Sequence, residues 1–298
     1  MRYYIDNNTL FIRGSFRAAG SGISADIRNV STILNHTALP GVNHGDREKE
    51  LGFVAAAAGI LGNFFGLMSP VPLSGLCVLQ YDFVTVFIIA GIRNVSSDTD
   101  SRINIIICSG EGLADAALLQ MIIIATDAKA EVLKDKGFLN TGTPADAVIV
   151  ASEGTEKHRS ASRARGIGRR VHDAILYGLP EALHRHEGSV RQSRPSFFIF
   201  SRFKGDHWTE WHPEDCPYYP CHFAGQRCDF CYCPLYPCGD ESLGQWVERA
   251  NGKKVWNCSH CTLLHEPDIA EYLLHNPDAS KEELVRLHNT KKTDGTGH

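Results

Sequence analysis

The amino-acid sequence predicts an α/β protein, a sheet of buried strands with covering helices, followed by a small cysteine-rich, metal-stabilised module. Three observations carry this reading. The runs Phe83–Ile92, Ile103–Cys108 and Ala147–Ala151 are too continuously apolar for a sheet wetted on one face. Segments of helical period alternate with these runs. Eight of the ten cysteines lie between Cys216 and Cys261, and all four tryptophans lie between Trp208 and Trp256. With 298 residues, 43% hydrophobic, 21% charged and a formal net charge of −4, the chain has room for one large domain and one small one. That composition excludes disorder, collagen and coiled coil.

Taken in order, residues 2–13 read as two short strands around the turn Asp6-Asn7-Asn8, with Tyr3, Ile5, Leu10 and Ile12 at a period of two. A polar, glycine-containing stretch follows. Asn35, His36, His44 and Asp46 then form the densest polar cluster of the large domain, and Asp46 is placed to cap a helix through Leu51–Leu61. Leu51 to Tyr81 carries no charged residue, but Pro70, Pro72 and five glycines make it a buried helix-turn-strand rather than a membrane span. Ser109-Gly110-Glu111-Gly112 turns the second apolar run into a helix bearing Leu113, Ala117, Met121, Ile124 and Ala128. A further amphipathic helix spans about 166–186. The expected division is a catalytic domain over 1–190, a linker over 191–205, a cysteine-rich module over 206–275, and a short helix with a disordered tail over 276–298. The N-terminus lacks a secretory pattern, which places the protein in the cytoplasm.

Several chemistries are disfavoured. There is no GxSxG elbow and no GxxxxGK[ST] loop, and Gly110–Asp115 is a degenerate dinucleotide fingerprint in which Glu111 would repel a pyrophosphate. Cys77 and Cys108 lie in apolar strands and read as inert core thiols. Thr141-Gly142-Thr143-Pro144 sets hydroxyls and free N–H groups just before a buried strand that begins at Asp146. On residues alone it is either a turn whose Asp146 caps local amides or an active-site loop.

The segments Ser31–Thr37, Phe83–Asn94, Ile103–Leu133 and Asn140–Ser152 together resemble the adenosylcobinamide amidohydrolase family of cobamide salvage. Residues 208–272 resemble the small cysteine-rich module fused to this enzyme in methanogenic archaea. The resemblance implies a hydrolase that cleaves the amide joining aminopropanol, or its phosphate, to the corrin ring of adenosylcobinamide, giving adenosylcobyric acid. Its partner would then be a corrinoid small molecule. The stretch Ser160–Arg170 departs from the family pattern, which puts substrate contacts there in doubt.

Amide hydrolysis needs an activated water or nucleophile, donors for the developing oxyanion and an acid for the leaving amine. His36 is the expected proton-transfer group, with Asp146 as its orienter opposite and the Thr141 and Thr143 loop as oxyanion donors. Asn35, His44, Asp46 and Glu111 are the expected substrate contacts; His36, His44 and Asp46 alternatively form a metal set. Readings from other classes are a corrinoid carrier without catalysis and a zinc-dependent nucleic-acid-binding protein. Against the last, the segment Asp206–Tyr272 carries four Lys/Arg and eleven Asp/Glu, so the module repels phosphate backbones and no nucleic-acid partner is expected.

The module repeats itself: Cys216–Cys221 and Cys233–Cys238 are C-x4-C pairs, while Cys228–Cys231 and Cys258–Cys261 are C-x2-C pairs. Eight clustered thiols in a reducing compartment favour metal over disulfides. They would fill about two closed tetrahedral zinc sites, with an iron–sulfur cluster as the rival and the pairing open. So short a module buries little apolar core, so the metal would be what folds it.

Overall fold

The computed structural model describes residues 1–23, 25–38, 47–91, 102–138, 142–143, 146–187, 195–201, 205–211, 219–230, 233–248, 252, 254–276 and 279–294. The chain divides into two compact units, one ending at Trp211 and one beginning at His212.

The first unit is built on a mixed sheet of ten strands. β1 (Arg2–Asp6) turns through Asn7 and Asn8, both at positive φ, into β2 (Thr9–Gly20). Asparagine tolerates that left-handed conformation because its short side chain bonds locally. β2 runs through the stretch read from sequence as merely polar, because Phe16 and Ala18 continue its buried face. There follow β3 (Asp26–Thr37), helix α1 (Arg47–Ala57), β4 (Phe64–Ser69), β5 (Cys77–Tyr81), β6 (Val84–Gly91), β7 (Arg102–Ser109) and the short β8 (Gly112–Leu113). Helix α2 (Asp115–Asp135), β9 (Ala147–Ser152), β10 (Glu156–His158), helix α3 (Gly166–Glu187), β11 (Ser196–Ser201) and β12 (His207–Glu210) complete the unit. The sheet order is β12-β11-β5-β6-β7-β9-β2-β3-β4, with β1 beside β2 and with β3–β4, β7–β9 and β5–β11 parallel.

Residues 191–205, expected as a linker, contain β11, which extends the sheet beside β5. Phe198 is buried there, 1% exposed, under Tyr177 of α3. With Ser196 and Phe198 buried at alternate positions, this segment is a strand rather than a linker.

The core is layered, and alternation along the strands shows how. Val84, Val86 and Ile88 of β6, Ile103, Ile105 and Ile107 of β7, and Val148 and Val150 of β9 pack against α2 and α3. Their alternates Phe87, Ile89, Ile106, Cys108, Ile149 and Ala151 face Leu10, Ile12, Ile33, Phe65 and Leu67 of β2, β3 and β4. The sheet therefore folds back on itself, and β4 packs on β7. The outer face of β2–β4, carrying Phe11, Leu34 and Met68, is covered by Leu51 and Ala55 of α1. The helix-turn-strand expected in the charge-free stretch is α1, β4 and β5.

The second unit has a hairpin of β13 (Gln245–Glu248) and β14 (Lys254–Asn257), and helices α4 (Pro267–His275) and α5 (Lys281–Asp294). Its small core is Leu263, Leu264, Ile269, Leu273, Ala279 and Leu284, against which Cys233 and Cys261 pack. The Glu283 N–H donates to Ser280 Oγ at 3.1 Å, the cap that the sequence signals. α5 lies within 276–298, where a short helix with a disordered tail is expected. Among the described residues, no helix is long and apolar enough to cross a membrane.

Phe87, fully buried between the two halves of the sheet and edge-on to Tyr3 at 5.1 Å, reports on this inner layer. Phe87→Ala is expected to lower unfolding free energy by about 3–5 kcal/mol, read from urea denaturation.

Candidate active site

Three polar clusters lie where β3, β7 and β9 begin or end. The first is built on Asp146, the residue before β9. Its Oδ1 accepts from the Ile103 N–H at 2.9 Å and from Thr143 Oγ1 at 3.0 Å. Its Oδ2 accepts from Lys129 Nζ at 2.9 Å and from the Thr143 N–H at 3.1 Å. One carboxylate thus ties the starts of β7 and β9, the threonine loop and α2 together. Gly142 closes over the pair at φ +131; a Cβ there would stand 2.3 Å from Asp146 Oδ2 and 2.5 Å from Lys129 Nζ. Only glycine suits both that backbone and that contact.

The second cluster is Asn35 and Asn104, each fully buried. Asn35 pairs with Leu10 in the ladder and shares the inner face with Ile33; Asn104 shares it with Ile106 and Cys108. Asn104 Nδ2 donates to Asn35 Oδ1 at 2.7 Å and lies 3.4 Å from the Met68 carbonyl.

The third cluster surrounds His36, the next residue along β3, which alternation turns to the α1 side. Its Nδ1 is 2.8 Å from Thr9 Oγ1, and its Nε2 is 3.9 Å from Glu50 of α1. Burial lowers the His36 pKa, with Glu50 partly opposing, so the neutral ring able to accept a proton is favoured.

This arrangement corrects the expected constellation. Asp146 faces α2 and orients Lys129 and Thr143, whereas His36 faces α1; the two do not stand opposite each other. Glu111 is separated from Asn35, because Asn104 opens β7 and Glu111 follows its end, roughly 20 Å away at strand rise. There Glu111 accepts from His158 Nε2 at 2.6 Å and pairs with Lys157. Burial alone would raise the Glu111 pKa, but these two partners hold it below the ordinary carboxylate value. His44, Asp46 and Thr141 lie outside the described residues. The core-thiol reading of Cys77 and Cys108 agrees with their burial, which pushes the Cys77 pKa up to about 12 and raises that of Cys108.

Two members of the site were missed in the sequence, and both had left a trace. Lys129 interrupts the buried face of α2 between Ala125 and Val132. Asn104 is the one polar side chain within Ile103–Cys108.

In the second unit, Gln226 is buried and its Nε2 bonds Cys221 Sγ at 3.2 Å and Cys228 Sγ at 3.3 Å. Burial pushes the Cys233 pKa up to about 11, and Cys261, Cys258 and Cys238 add to the rise. Cys216 and Cys231 lie outside the described residues. Among the described residues, no three His, Cys, Asp or Glu side chains are gathered closely enough to hold a metal ion.

Comparisons with known proteins fit this division. A family model described as adenosylcobinamide amidohydrolase matches residues 11–191, and one described as a cysteine-rich small domain matches 207–288. An adenosylcobinamide amidohydrolase of Methanosarcina mazei is 32% identical over 195 residues, 61% of this chain and 98% of that protein. An uncharacterized protein of Methanocaldococcus jannaschii is 53% identical over 80 residues, 27% of this chain and 61% of that protein. A probable cobalt-factor III C(17)-methyltransferase of Methanothermobacter thermautotrophicus is 40% identical over 85 residues, 25% of this chain and 23% of that protein. The chain thus spans less than two thirds of the last two relatives. No solved structure matches. The match over the first unit defines an amidohydrolase. The chain belongs to the adenosylcobinamide amidohydrolase family.

Two outcomes follow. Lys129→Ala strands the buried Asp146 carboxylate and is expected to cost about 3–5 kcal/mol of stability by denaturant titration. A histidine whose folded pKa is lowered binds its proton better when unfolded, so stability drops as pH falls through the ordinary value of about 6.5. His36→Gln is expected to flatten the part of that loss that sets in below about pH 6.5, measured as urea midpoints.

Proposed function

We propose that the chain hydrolyses the amide that joins aminopropanol, or its phosphate, to the corrin ring of adenosylcobinamide, releasing adenosylcobyric acid for cobamide salvage in the cytoplasm. The observation that carries this is the family match over 11–191, which includes Asp146, Lys129, Asn35, Asn104 and His36. His36 fits proton transfer because burial keeps it neutral. Asp146 acts as a positioning residue, since its oxygens are engaged by Lys129, Thr143 and Ile103. The assignments of Thr141, His44 and Asp46 to oxyanion and substrate contacts stay part of this reading, and Glu111 is left out of it. Incubation of the purified chain with adenosylcobinamide should yield adenosylcobyric acid and aminopropanol by mass spectrometry. Recovery of the corrinoid bound but intact would instead make the protein a carrier.

The second unit is proposed to bind zinc, on the chemistry of its donors. Cys216, Cys221, Cys228, Cys231, Cys233, Cys238, Cys258 and Cys261 supply soft thiolate ligands. Zinc would supply folding free energy to a unit whose apolar core is only a few residues. Elemental analysis of protein purified under reducing conditions is expected to find about two zinc ions per chain. A chelator is expected to change the fluorescence of Trp246 and Trp256, whose rings lie 5.3 Å apart. Protein without metal, or with iron and sulfide, would refute the zinc reading.

A further inference from the structure

The Asn35–Asn104 pair is incompletely satisfied. Both side chains are fully buried, yet Asn35 Nδ2 and Asn104 Oδ1 have no hydrogen-bond partner among the described residues. Amide orientation does not remove the mismatch. Turning over Asn35 alone sets two NH2 groups against each other, and turning over Asn104 alone opposes two carbonyls. Turning over both exchanges the roles and again leaves one donor and one acceptor. A buried polar atom left unpaired costs free energy, so a pair that keeps one of each is suited to a group that offers both in return.

An amide is such a group: its carbonyl accepts and its N–H donates. The pair is also linked through the backbone to groups already assigned to the chemistry: Asn35 precedes His36 in β3, the two side chains on opposite faces of the strand, and Asn104 follows Ile103, whose N–H is held by Asp146 at 2.9 Å. We propose that Asn35 and Asn104 read the scissile amide of the substrate, Asn35 Nδ2 donating to its carbonyl oxygen and Asn104 Oδ1 accepting from its N–H. This rests on the amidohydrolase reading above and adds its substrate-recognising residues.

The reaction balances without any further reagent. Water oxygen bonds to the carbonyl carbon, and negative charge gathers on the oxygen held by Asn35. The C–N bond then breaks, with one water proton passing to the leaving nitrogen, giving a carboxylic acid and an amine. The Asn35 bond strengthens as the oxyanion forms, so it acts more on kcat than on KM. The Asn104 bond selects an amide over an ester, which has no N–H to give.

The double variant Asn35→Leu/Asn104→Leu separates this role from a structural one. Replacing both partners by apolar groups of similar shape removes the unpaired atoms together, so thermal stability is expected to be kept or raised. Turnover of adenosylcobinamide, per folded protein by circular dichroism, is expected to fall roughly 10²–10³-fold in kcat with KM within a few-fold. Asn35→Asp is the second variant: it keeps the acceptor for Asn104 but replaces the free donor with an acceptor, and should lose kcat similarly. Wild-type kcat per folded molecule in either variant would overturn the proposal, as would a loss that matches the unfolded fraction. Absence of turnover by the wild-type chain would instead overturn the amidohydrolase reading, and it is scored separately.

Discussion

Strands that are apolar on both faces must be covered twice. In β6, β7 and β9 one cover is helical, from α2 and α3, and the other is the remainder of the same sheet folded back. This double burial is the constraint from which the rest follows. It sets β4 against β7, brings the end of β3 over the start of β7, and leaves the outer face of β2–β4 to be closed by α1. Polar side chains caught inside such a layer have few partners to choose from, which is why Asn35 and Asn104 find each other from positions 69 residues apart.

A second interaction fixes the loop side of the site. Asp146 is a buried anion held by one cation and three neutral donors, and every donor comes from a different structural role: a helix side chain, a loop hydroxyl, a loop amide and a strand amide. Charge-assisted bonds of this kind are short and directional. The result is a rigid base for Gly142 and Thr143, and a carboxylate too fully engaged to act as a base itself.

Much of the large unit was legible because apolar runs and helical period report burial directly. Phe83–Ile92, Ile103–Cys108 and Ala147–Ala151 became β6, β7 and β9, and the helix expected near 166–186 became α3. What could not be read was how the sheet curls. Periodicity gives the faces of each strand but not which distant strand covers them, so Asn35 was seen without Asn104, and Glu111 was grouped with residues at the other end of β7. Lys129 was passed over because a lone lysine on a helix ordinarily reaches water. β11 falls within the segment expected as a linker, although its own apolar alternation is present. In the second unit the cysteine spacing marked the cysteine-rich domain, yet the folded core there includes α5, which lies beyond the cysteines.

The ladder between β2 and β3 is irregular between Arg13 and Phe16, where β2 carries one residue more than its partner. As a result Val30 and Ile33 both face the inner layer, although they are three residues apart. Counted by twos from Val30, the inward positions would have been 32, 34 and 36, with the imidazole inside and the carboxamide out. The extra residue shifts the count. A single bulge, some twenty positions upstream in the chain, thus decides which of two adjacent polar side chains meets the buried layer and which meets α1.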